Sequence, residues 1–134
     1  MSLNKNLIDK LINVTSNAAV ACYKHVGKKN KNIADKEATD SMRKNLNVLD
    51  IKGKVVIGEG ELDEAPMLFI GENLGTGKGP VIDIAVDPLE GTNFAANNLP
   101  GALSVIAIAE EGNLFHAPET YMNKIAVNKD VPYD

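Results

Sequence analysis

Val81-Ile82-Asp83-Ile84-Ala85-Val86-Asp87-Pro88-Leu89-Glu90-Gly91-Thr92 joins an apolar, β-branched run to a proline, a second acid and a glycine turn. The run predicts a strand that delivers Asp87 at its carboxyl end and is stopped by Pro88. Glu90 adds another carboxylate, and Gly91-Thr92 sets free backbone NH groups beside these hard oxygen donors. Divalent-metal phosphate chemistry requires that combination. Asp-Pro is also an ordinary strand exit and Glu-Gly an ordinary turn, so the hexapeptide from Asp87 to Thr92 leaves site and punctuation both open.

Upstream of this strand the period is helical. Leu3, Leu7, Leu11, Val14, Ala18 and Cys22 recur at spacings of three and four, widened by Ile8, Ile12 and Ala19, and predict an amphipathic helix from about Leu3 to Val26. Gly27 ends it, and a short basic loop from Lys28 to Asn32 follows. Asp35 stands where an N-cap belongs, before a second stripe through Ala38, Met42, Leu46 and Leu49 that runs out at Asp50 and Gly53. The period then changes. Val55-Val56-Ile57, Met67 to Ile70, Val81 to Val86, Ala102 to Ala109 and Ile125-Ala126-Val127 are short strand-type runs separated by Gly, Pro and Asn.

Glu111-Gly112-Asn113, ahead of Leu114-Phe115, predicts a hairpin turn and hence an antiparallel pair. Helices first and strands afterwards indicate an α+β class, with two amino-terminal helices layered on a mixed, partly antiparallel sheet, rather than alternating βαβ units. No internal repeat, low-complexity tract or linker divides residues 1–134, which read as one domain.

At 44% hydrophobic residues the chain can build a core, and 14 basic against 18 acidic residues, a net charge of -4, give no footprint for nucleic acid or an anionic membrane. The single cysteine, Cys22, excludes an internal disulfide and reads as a small buried apolar residue. The apolar run from Val105 to Ala109 is far short of the ~20 residues that span a bilayer, and the amino terminus lacks a signal pattern, so a cytoplasmic location is expected. Asn13-Val14-Thr15 matches a glycosylation acceptor only by chance on that reading.

Other acids are placed to join Asp87. Glu59, bracketed by Gly58 and Gly60, leaves the end of the Val55-Val56-Ile57 strand, and neighbouring strands ~4.8 Å apart let carboxylates at their ends share one ion or two. A solvated loop acid is the plainer alternative for Glu59, and an N-cap is the plainer one for Asp35. Glu61, Asp63 and Glu64 crowd the same loop, where a cation would offset their repulsion. All the donors are oxygens and neither His25 nor His116 lies in a paired metal-binding spacing, which favours magnesium or manganese over zinc and leaves both histidines as surface or packing residues. Gly75-Thr76-Gly77-Lys78-Gly79 fits neither nucleotide-loop spacing and reads as a turn between strands.

Gly58-Glu59-Gly60-Glu61-Leu62-Asp63-Glu64-Ala65-Pro66-Met67 followed by the strand from Asp83 to Thr92 resembles the class II fructose-1,6-bisphosphatase family. The likeness extends to Lys31-Asn32 with Ala34-Asp35, to Met42-Arg43, and to Ala117-Pro118 leading to Tyr121-Met122, nearly the whole chain. More broadly, Asp-Pro-x-x-Gly-Thr is similar to the element of the lithium-sensitive sugar and inositol phosphatases, whose fold layers helices against sheets. The resemblance implies metal ligands at Asp35, Glu59, Asp87 and Glu90, with Mn2+ or Mg2+ as cofactor. It implies active-site roles for Thr92, Lys31 and Asp63, and substrate contacts from Glu90, Gly91, Thr92 and Tyr121. Asn30 stands where an aspartate is common.

The activity it implies is metal-dependent hydrolysis of the 1-phosphate of fructose 1,6-bisphosphate to fructose 6-phosphate and phosphate, a step of gluconeogenesis. Sedoheptulose bisphosphate or an inositol phosphate is the alternative substrate, and a non-catalytic metal-binding or assembly fragment the alternative role. Family members are much longer, so residues 1–134 are expected to be the amino-terminal metal- and phosphate-binding part of such an enzyme. The resemblance implies that the carboxyl-terminal half, which holds most of the sugar, is not among residues 1–134. Apolar surface left by that absence is expected to invite association into a homo-oligomer.

Overall fold

The computed structural model describes residues 5–59, 67–116, 123 and 125–130. Helix α1 spans Lys5–Tyr23 and buries Leu7, Leu11, Val14, Ala18 and Cys22. Ile8, Ile12 and Ala19 are exposed, so the buried stripe is narrower than expected, because α1 meets α2, β3 and β4 along a single seam. The helix also ends sooner than Val26. A tight turn closed by the His25 amide on the Cys22 carbonyl (2.8 Å) carries the chain into Gly27, whose φ of +75° is left-handed.

Helix α2 spans Lys31–Asn47 and buries Ala34, Ala38, Thr39, Met42 and Leu46. Its N-cap is Asn30, whose Oδ1 accepts the Ile33 amide at 3.2 Å. The expectation that Asp35 caps this helix is therefore corrected. Asn30 satisfies the orphan amide one turn earlier, which leaves the Asp35 side chain free for other work.

Four strands follow, β1 (Lys52–Ile57), β2 (Asn73–Leu74), β3 (Val81–Glu90) and β4 (Leu103–Glu110), with a short helix α3 (Thr92–Ala96) between the last two. They form one sheet in the order β2-β1-β3-β4. The β1–β3 pair is parallel and the two outer pairs are antiparallel, giving the mixed α+β architecture. Met42 and Leu46 of α2 lie in one buried core with Ile51, Val55, Leu68, Ile82 and Ile84 from the sheet layer. No helix among the described residues is long and apolar enough to cross a membrane.

Pro88 does not stop its strand. β3 continues to Glu90, and the register steps from Asp87↔Val105 to Glu90↔Leu103, so three steps on β3 face two on β4. That is a β-bulge, and it accommodates a residue with no amide to donate. The next amide, Leu89, turns to the Asp87 side chain at 3.1 Å.

Two expected strands are absent among the described residues. Met67 to Ile70 is irregular, because the segment folds into a turn closed by the Glu72 amide on the Phe69 carbonyl (3.0 Å) before the short β2. Ile125-Ala126-Val127 is exposed and unpaired with the sheet. The turn at Glu111-Gly112-Asn113 does form, with the Asn113 amide on the Glu110 carbonyl at 3.1 Å, but Leu114-Phe115 does not return along β4. The amides of Gly112 and Leu114 donate instead to Asp83 Oδ2 (2.7 and 3.4 Å), and His116 Nδ1 donates to the Val56 carbonyl at 2.9 Å. The chain thus crosses β3 toward β1. Gly75 to Gly79 forms the expected connection between β2 and β3.

Candidate metal centre and phosphate turn

Parallel pairing of β1 and β3 puts both carboxyl ends on one side of the sheet. Ile57 faces Ala85, so Glu59 and Asp87 each lie two residues beyond the same register pair. Helix α2 packs on β3 and on α3, and brings Asp35 to that side from its second turn. Asp35, Glu59 and Asp87 are all partly buried, whereas Glu90 is exposed at the end of β3.

The electrostatics of these acids are those of a cluster. Burial, then a hydrogen bond with Glu90 and the charge of Glu90, push Asp87 up to about 7, with a further push from Asp35 and a counter-pull from the Leu89 amide. Burial also raises Asp35, against the pull of the Lys31 ammonium. Asp35 Oδ1 is buried without a hydrogen-bond partner. A carboxylate oxygen in that state, beside two further acids, lacks a cation or a donor. The donor chemistry therefore fits a hard divalent ion. The side chains are not drawn together into a closed cage, however: among the described residues no three His, Cys, Asp or Glu groups stand close enough to hold one ion.

Beside the acids the chain turns. Gly91 has φ of +77°, and a Cβ there would lie 2.9 Å from Phe94 Cδ2, so the position requires glycine. The Gly91 carbonyl accepts the Phe94 amide at 2.8 Å, and Thr92, partly buried, opens α3 immediately after the acids. The loop between α1 and α2 is tied to α3 by the Gly27 amide on Ala95 O (2.9 Å) and the Lys29 amide on Ala96 O (2.8 Å). Lys31, exposed on the first turn of α2, lies near enough for its charge to act on Asp35. The fold thus gathers Lys31, Asp35, Glu59, Asp87, Glu90, Gly91 and Thr92 at one end. Asp63 and Tyr121, with Glu61, Glu64 and the stretch from Ala117 to Met122, lie outside the described residues.

Cys22 is buried as anticipated, and burial, then the nearby Asp35 charge, push its thiol up. Two contributors were not foreseen from the pattern. Asn30 reads as part of a basic loop, although an Asn at the start of a helical stripe is a cap signal. Arg43, which entered only with Met42 as part of the family likeness, grips Glu72 through its guanidinium at 2.7 Å and also bonds the Met67 carbonyl. A cation next to a completely buried position of a helix was the available sign.

Comparison with known proteins gives the family. The family described as bacterial fructose-1,6-bisphosphatase, glpX-encoded, matches residues 5–133. A protein of Prochlorococcus marinus (strain AS9601) named D-fructose 1,6-bisphosphatase class 2/sedoheptulose 1,7-bisphosphatase is 50% identical over 124 residues, which are 92% of this chain and 37% of that relative. Proteins of the same name from Synechococcus sp. (strain CC9902) and P. marinus (strain NATL1A) are 48% and 46% identical over the same shares. The chain spans 37% of the length of these relatives. With nearly all of its residues matched, the chain belongs to the class II, glpX-type fructose-1,6-bisphosphatase family.

Proposed function

We propose that residues 1–134 form the metal- and phosphate-holding part of a cytoplasmic sugar bisphosphatase. The reaction is hydrolysis of the 1-phosphate of fructose 1,6-bisphosphate to fructose 6-phosphate and phosphate. The observation that carries this reading is the repelling cluster of Asp35 on α2 with Asp87 and Glu90 at the end of β3, followed at once by Gly91-Thr92. Family membership supplies the chemistry, and the cluster supplies the place for it.

Asp35, Glu59, Asp87 and Glu90 would hold Mn2+ or Mg2+. When bound, such an ion supplies Lewis acidity toward phosphoryl oxygens and lowers the pKa of a coordinated water. The chain's own groups do the rest. The Thr92 hydroxyl orients the attacking water, the backbone of the Gly91 turn and Glu90 meet the substrate, and the Lys31 ammonium offsets phosphate charge at the mouth. Asp63 and Tyr121 complete the set as an active-site acid and a substrate-contacting phenol on the strength of the family pattern.

The relatives' names pair two bisphosphatase activities, which supports sedoheptulose 1,7-bisphosphate as a second substrate. Residues that would choose between the sugars belong to the remaining length of those relatives, so the short chain alone is expected to bind metal better than it turns over. Phosphate release from fructose 1,6-bisphosphate with manganese, and a melting curve with and without manganese, test both parts. Binding at 100 times the dissociation constant adds about 2.7 kcal/mol of stability. A melting shift without turnover assigns this chain the holding role alone, and the absence of both effects refutes the site.

A further inference from the structure

Glu59 owes its position to a neighbour that is not an acid. Its backbone amide donates to the Leu68 carbonyl at 2.9 Å, so residue 59 hangs from the segment 67–72 on the far side of the loop. That segment is held to β1 by the Gly71 amide on Val55 O (2.8 Å) and the Val55 amide on Glu72 O (2.9 Å). Leu68 itself is completely buried. What holds the segment from the helix side is Arg43 of α2. Its Nε donates to Glu72 Oε1 at 2.7 Å, its Nη2 donates to Glu72 Oε2 at 3.2 Å, and Nη2 also donates to the Met67 carbonyl.

One guanidinium thus fixes both ends of 67–72. The pair is partly buried, with side-chain exposures of 25% for Arg43 and 12% for Glu72. A planar fork on a carboxylate with a spare donor on a carbonyl is a geometry that lysine cannot copy. Arg43 also shares α2 with Asp35, two turns apart, so one rigid helix carries an acid of the cluster and the clamp for another.

We propose that Arg43, paired with Glu72, is a positioning residue that sets the Glu59 carboxylate against Asp35 and Asp87 for metal binding. The inference rests on the reading of Glu59 as a metal ligand. Among the described residues Arg43 also ion-pairs with Asp40 at 3.9 Å, and its path to the cluster runs through Met67, Leu68 and the Glu59 amide.

The test uses the 134-residue chain with manganese alone as probe, titrated calorimetrically, and reads exchange of the Glu59 amide alongside. Arg43→Ala is expected to weaken manganese binding about 10-fold or more, as loss of an outer support of a metal ligand does, and to speed Glu59 amide exchange. Arg43→Lys keeps the charge, should fold where Arg43→Ala does not, and is expected to show the same weakening. Because Arg43 acts through Glu59, Arg43→Lys added to Glu59→Gln should cost no further affinity.

The proposal is overturned if Arg43→Lys lowers the melting temperature but leaves manganese affinity within about twofold of the parent. Full additivity of the two substitutions also overturns it. If Glu59→Gln has no effect while Asp87→Asn abolishes binding, the reading of Glu59 itself has failed and the proposal falls with it, a result separable from the first two.

Discussion

Replacing Gly58 by alanine probes the joint between the sheet and the acidic loop. A Cβ at residue 58 would lie 2.2 Å from the Leu68 carbonyl oxygen and 2.7 Å from Val55 Cγ1. Leu68 O must then withdraw by about 1 Å to reach an ordinary van der Waals separation. That movement breaks the 2.9 Å bond it accepts from the Glu59 amide. Overpacking of a tight core costs about 1–3 kcal/mol and the lost hydrogen bond about 1 kcal/mol, while the stiffer unfolded chain returns about 0.5 kcal/mol.

Gly58→Ala should therefore destabilise the fold by about 2–3 kcal/mol, which lowers the urea midpoint by roughly 1–2 M at the slopes usual for small proteins. Gly71→Ala is the control. Nothing lies within 4 Å of a Cβ there, and its φ of +96° leaves only backbone strain. That strain is worth about 1–2 kcal/mol. A midpoint shift below about 0.3 M for Gly58→Ala, with the Glu59 amide still protected from exchange, would refute the close approach of β1 to Leu68.

Other expectations follow from the same geometry. Met42 is completely buried, so Met42→Ala should cost about 2–5 kcal/mol in chemical unfolding, against little change for Val48→Ala at an exposed site. Asn30→Ala removes the α2 cap and should cost about 0.5–2 kcal/mol, whereas Asn30→Asp, which can cap and also favours the helix dipole, should stay at or above parental stability by the same assay. In the metal-free chain the folded Asp87 binds its proton more tightly than the ordinary value of 3.8 implies, up to about 7. Its contribution is fully present below about pH 4 and lost as pH rises through about 7; with the side chain only partly buried this amounts to about 1–2 kcal/mol. Urea midpoints in chelator should fall from pH 5 to 8 and flatten in Asp87→Asn, and a rise over that range would contradict the cluster.

The fold was legible where one periodicity dominates. The α1 stripe from Leu7 to Cys22 and the α2 stripe through Met42 and Leu46 are spaced by the helix itself and landed as buried faces. Strands depend on pairing partners that a single segment does not reveal. Met67 to Ile70 has strand composition, yet the turn at Gly71-Glu72 and the clamp from Arg43 hold it irregular. Pro88 looked like a stop because the bulge that absorbs it is set by β4, across the sheet.

The same limit applies to the candidate site. Asp87, Glu90, Gly91 and Thr92 are contiguous and could be read together, and Glu59 followed from its place after a strand. Asp35 joins them because α2 begins at the Asn30 cap, earlier than the spacing indicates, so that Asp35 lies in the second turn instead of at the helix end. Arg43 was invisible as a support because its partners, Glu72 and Met67, are distant in sequence.

Calorimetric titration of manganese into the chelator-treated chain, repeated on Asp87→Asn, addresses the metal centre most directly. The parent is expected to bind saturably with release of protons from the acid cluster, and Asp87→Asn to lose that binding while keeping its helical signal and a melting transition. Equal affinity in the two proteins, or a parent that binds no manganese, would contradict a metal centre built on Asp87.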